Sequence, residues 1–197
     1  MASEFPAALN IDGVTIALRV ERKAVKNVNA RLAEATLQVS IPLRLEHTEA
    51  LKIIDELARR LLRRQRARAI NQAEDATELA RRVAARFPKP PEVRQVQFTT
   101  VASTCWGSYS PRTQSIRISA ALRHMPTWVL EAVMAHELAH TIHPNHSPAF
   151  WELLRSVYPD TDRAQAFLAG VTWLARAWDD LPAVERAQLV DEREDQA

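Results

Sequence analysis

A single cysteine, Cys105, in 197 residues excludes an intrachain disulfide and a zinc site built from cysteine alone, and it suits a reducing compartment. Any metal held by this chain must lean on histidine and carboxylate. No stretch approaches the roughly 18 apolar residues of a membrane span. The opening residues, MASEFPAALN, lack the basic start and apolar run of a secretory signal, so a cytoplasmic protein with no membrane partner is expected. Neither sign of charge dominates, with 26 Lys and Arg against 24 Asp and Glu. That balance gives little reason to expect nucleic acid. The distribution is nevertheless uneven: residues 59 to 94 carry eleven basic side chains against four acids, and residues 160 to 197 nine acids against four arginines.

What is present suffices for one sizeable core. One domain is expected over residues 1–180, its front part at 14–72 and its core at 75–178, followed by an acidic tail at 181–197 expected to be disordered. Val14, Ile16, Leu18 and Val20 alternate along one side of a strand, and Leu37, Val39 and Ile41 repeat the pattern. With a short strand near 28–33, these predict a small antiparallel sheet. From Thr48, a candidate N-cap, apolar residues recur at helical spacing to about Ala69, with arginines on the opposite side. A second helix is predicted from Asp75 to Phe87, ended by the PKPP cluster. Strands follow at 93–101 and 115–122, joined by a segment with Gly107 and Pro111 as turn residues. Further helices are predicted from Thr127, from Ser147-Pro148 and over 161–178, with Trp173 and Trp178 in the core. The fold class is α+β.

Four of the six histidines lie in HELAHTIHPNH, residues 136–146. His136 and His140, four apart on a helix, direct their imidazoles at a common point, and Glu137 beside them is placed to act as a general base rather than a ligand. A catalytic zinc takes three protein ligands and keeps one position open. His143, if the helix continued, would lie ~10 Å along the axis from His136; a solvent-exposed or supporting role is favoured for it. Beyond Pro144 the chain can turn back and bring in His146, with Glu152 as the carboxylate rival. The spacing also fits the metzincin pattern HExxHxxGxxH. His143 occupies its glycine position and no methionine follows Met134, which rejects that assignment.

The stretch WGSYSPRTQSIRISAALRHMPTWVLEAVMAHELAH, followed by NHSPAFWELL, resembles the YgjP-like zinc metallopeptidase family, related to the SprT-like and WLM proteases. The resemblance implies a minimal zincin-like fold, Zn2+ as cofactor, His136, His140 and His146 as its ligands, Glu137 as catalytic acid/base, and a peptide or protein substrate. Two departures, Cys105 before Trp106 and Tyr109 after Ser108, bear on substrate preference. Trp106 is read as a core aromatic, and Trp151 as packing its helix against the histidine helix. Two other functions compete: a zinc-dependent phosphoester or nucleotide pyrophosphate hydrolase, and a zinc-stabilised DNA-binding or adaptor module. For the arginines at 59, 60, 63, 64, 66 and 68 a solvated helix face is favoured over a nucleic-acid partner.

Overall fold

The computed structural model describes residues 4–73, 75–100 and 105–190. Among them the chain is α+β, with two small sheets and six α-helices. These residues group into two compact units that divide between 73 and 75, with 98–100 returning to the first.

The first unit holds strands β1 (Ala8–Ile11), β2 (Val14–Lys23), β3 (Asn29–Ala33) and β4 (Thr36–Pro42), in the spatial order β1-β2-β4-β3. Strand β1 is an addition to the sequence reading. Its signal is Asp12-Gly13, whose backbone takes φ of 51° and 82°, the left-handed pair that closes a two-residue hairpin. The sheet is not wholly antiparallel, because β2 and β4 run parallel, with Leu18 opposite Leu37 and Val20 opposite Val39. The physical reason is the β3–β4 hairpin: its first strand takes the outer edge, so its second returns beside β2 in the same direction. The inward face of Ile16, Leu18, Leu37, Val39 and Ile41 is buried with Ala50, Ile54 and Ala58 of helix α1 (His47–Ala73). Thr48 does not cap this helix. Glu46 does, accepting from the Thr48 N–H at 3.1 Å. Arg60, Arg64, Arg66 and Arg68 face solvent.

The second unit begins with α2 (Ala76–Ala84), whose Asp75 carboxylate accepts from the N–H groups of Thr77 and Glu78. Strands β5 (Gln95–Thr99, of which 95–97 group with this unit), β6 (Gly107–Ser110) and β7 (Ser115–Ser119) form a sheet in the order β5-β7-β6. Gly107 is therefore a strand residue rather than a turn residue. The strand expected over 115–122 stops at Ser119, whose hydroxyl accepts from the Ala121 N–H at 3.4 Å and starts a 3-10 turn over Ala120–His124. Residue 101, expected in a strand, lies outside the described residues.

Helices α3 (Thr127–Ala139), α4 (Pro148–Val157), α5 (Thr161–Ala177) and α6 (Ala183–Val190) complete the unit. Helix α3 buries side chains nearly all round, including Val129, Met134, Ala135, Leu138 and Ala139, as a central helix must. Helix α6 occupies residues expected to be disordered, and 191–197 lie outside the described residues. Trp178 is half-buried and Trp173 is 64% exposed, so Trp173 is not a core residue.

Candidate active site

Helix α3 carries His136 and His140 one turn apart and ends on the second, which is its C-cap. It stops well before Pro144 because Thr141 and Ile142 donate to the carbonyls of Leu138 and Ala139, a tightening to i→i−3 bonds, while the Thr141 hydroxyl also claims the Leu138 carbonyl at 2.7 Å. His143 consequently does not continue the helix face. Its carbonyl oxygen instead lies 3.1 Å from His140 Nδ1. A proton on Nδ1 donated to that carbonyl leaves Nε2 as a bare lone pair. His143 thus acts through its backbone.

His146 arrives from the loop before α4, where Ser147 accepts from the Phe150 N–H and Pro148 occupies the first turn. Its Nε2 lies 3.0 Å from His136 Nε2, and His140 Nε2 lies 3.2 Å from the same atom. One nitrogen from each of the three rings falls within 4.8 Å of the others. Zinc–nitrogen bonds of about 2.0–2.1 Å in tetrahedral array set neighbouring donors about 3.3–3.4 Å apart, so these three imidazoles fit a shared divalent metal ion. Glu152 is exposed and stands outside this cluster.

Phe150 forms the floor. It is fully buried, and its ring centre lies 4.9, 4.7 and 4.9 Å from those of His136, His140 and His146. Trp151 stacks on His146 at 5.5 Å and meets His136 edge-on at 5.9 Å. One aromatic pair from α4 therefore fixes rings that come from two elements. Phe150→Ala should cost about 3–5 kcal/mol of stability and loosen all three rings at once. Denaturant unfolding with and without added zinc checks this: the zinc-dependent gain in stability should shrink together with the baseline.

Burial sets the electrostatics. The pKa of His136 is pushed down to about 4, chiefly by burial and then by the neighbouring His140 and His146. Burial also lowers His140, against the opposing hydrogen bond to the His143 carbonyl. Neutral imidazole is the form a metal requires. Glu137, 5% exposed, has its carboxyl pushed up to about 7 by burial, with the Tyr109 N–H of β6 pulling the other way.

Gly107 leaves the room that Glu137 fills. A Cβ at that position would meet Glu137 Oε1 at 2.5 Å and Cγ at 2.8 Å. The tip of β6 thus holds the carboxylate between an absent side chain at 107 and a backbone donor at 109. Neither role is legible in the sequence, although both residues lie in the stretch 106–109 that carries the family resemblance.

These residues open into a cavity of about 920 Å³, walled by Trp106 and Tyr109 on one side and by α5 residues from Thr161 to Arg176 on another. Trp106 is half-buried and lines this cavity instead of the core.

The YgjP-like metallopeptidase domain matches residues 6–170 of this chain. No curated protein and no solved structure matches it.

Proposed function

The chain belongs to the YgjP-like metallopeptidase family, and from that premise we propose that it hydrolyses peptide bonds, with His136, His140 and His146 holding Zn2+ and Glu137 as general base. The observation that carries this reading is the pairing of a three-imidazole cluster with a buried carboxylate one residue along the same helix. His136, His140 and His146 would hold the ion, and zinc bound there would supply Lewis acidity, which lowers the pKa of a bound water to about 7 and polarises a carbonyl. Glu137 takes the proton from the attacking water at Oε and passes it to the leaving nitrogen as the C–N bond breaks. The Tyr109 N–H and the space at Gly107 hold that carboxylate in line. Strand β6 is an edge strand, so its outer side offers main-chain groups to an extended peptide.

The two rival functions fit less well. A phosphoester or nucleotide substrate calls for several cationic partners, and among the described residues Arg176 is the cavity's only lysine or arginine. A structural zinc module closes the fourth position with protein and has no use for a buried base. Offering the zinc-loaded protein casein and nucleoside triphosphates side by side tests the choice. Casein cleavage abolished by chelation supports the proposal, whereas triphosphate hydrolysis with intact casein overturns it.

Gly107→Ala is expected to push Glu137 aside and lower kcat about 10²-fold, with zinc content unchanged. Metal analysis alongside steady-state kinetics separates this displacement from loss of the metal.

A further inference from the structure

Helix α5 is anchored by its first half. Thr161 and Ala164 are buried, Phe167 meets Trp128 edge-on at 5.6 Å, and Asp162 pairs with Arg155 of α4. Its second half is different. Leu168, Thr172 and Arg176, and beside them Ala169 and Trp173, form two adjacent rows at four-residue spacing, and all five line the cavity that holds the three histidines and Glu137. Trp173 is 64% exposed there, a large aromatic surface that the fold itself leaves uncovered. Thr172, Trp173 and Arg176 lie just beyond residue 170, where the match to the family ends. Asp162 is the one acid within α5 and it pairs with Arg155, while Arg176, which forms no ion pair among the described residues, brings a positive charge to the far end of this face, ahead of the exposed Asp179 and Asp180.

Resting on the peptidase reading above, we propose that this face of α5 selects the substrate: it receives a large apolar side chain, aromatic or branched aliphatic, next to the bond that is cut, with an acidic residue further along the peptide meeting Arg176. The chemistry is complementary at both points. An apolar side chain covers Trp173, Leu168 and the Thr172 methyl, removing surface from water, and a carboxylate gives Arg176 the partner it lacks among the described residues.

The test uses three otherwise identical Gly/Ser peptides carrying Phe with Asp, Ser with Asp, or Phe with Lys. Calorimetry measures their binding to the zinc-loaded Glu137→Gln protein, and cleavage is followed with the native chain. The Phe/Asp peptide should bind at least about 10-fold more tightly than the Ser/Asp peptide. Trp173→Ala, and Ala169→Trp, which fills the wall, should each bring that ratio towards one. Arg176→Gln should erase the preference for Asp over Lys. All three positions are exposed, so circular dichroism should be unchanged. Equal affinity for the three peptides, or ratios that survive all three substitutions, overturns the proposal. Cleavage of every peptide without discrimination removes the selective wall and keeps the peptidase. Discrimination in binding with no cleavage by the native chain keeps the wall and removes the peptidase.

Discussion

Glu137→Gln is expected to lower turnover by about 10²–10⁴-fold while zinc remains at one equivalent. The substitution is nearly isosteric. Its amide oxygen can still accept the Tyr109 N–H that the carboxylate accepts, and its side chain fits the same space beside Gly107. What disappears is the ability to take a proton. The variant should be at least as stable as the native protein without metal at pH 8, because a buried carboxylate charged at that pH is costly and a neutral amide is less so. Thermal unfolding and metal analysis on one preparation distinguish this from misfolding. If the variant hydrolysed peptide at the native rate, the proton acceptor would have to be another group.

His146→Ala should instead remove the metal. Two imidazoles one helical turn apart then remain, short of the three protein ligands a catalytic zinc uses. The variant should lose zinc on dialysis against a mild chelator that leaves the native protein loaded. Its circular dichroism should be unchanged, since His146 is an exposed loop residue. Zinc at 100 times its dissociation constant stabilises a folded site by about 2.7 kcal/mol, so the zinc-induced rise in Tm should be much smaller in the variant. Full retention of zinc would mean that another donor replaces this ring. Glu152, exposed and outside the cluster, would then need to move.

Legibility from sequence differed sharply along the chain. The amphipathic patterns of α1, α2 and α5 and the alternation in β2, β4 and β7 located those elements, because each follows from side chains near in sequence. The parallel pairing of β2 with β4 was not legible, since alternation records which face is buried and not which way the neighbour runs. The end of α3 is not legible for a local reason: Pro144 is the evident stop in the sequence, while the Thr141 hydroxyl and the tightened last turn end the helix earlier. Hydrophobicity alone puts Trp173 in the core, yet in helix α5 it faces the cavity.

Within the candidate site, the sequence alone determined which donors are available: one cysteine ruled out sulfur-only ligation, and HELAH placed two imidazoles and a carboxylate on one helix by its 3.6-residue period. Only the tertiary structure decided that the His146 ring reaches the other two, that Phe150 lies beneath all three, and that Gly107 and the Tyr109 N–H receive Glu137. The reason is range. A helical period relates residues a few positions apart, whereas Gly107 and Glu137 are brought together only by packing β6 against α3, and no local pattern in either segment records the other.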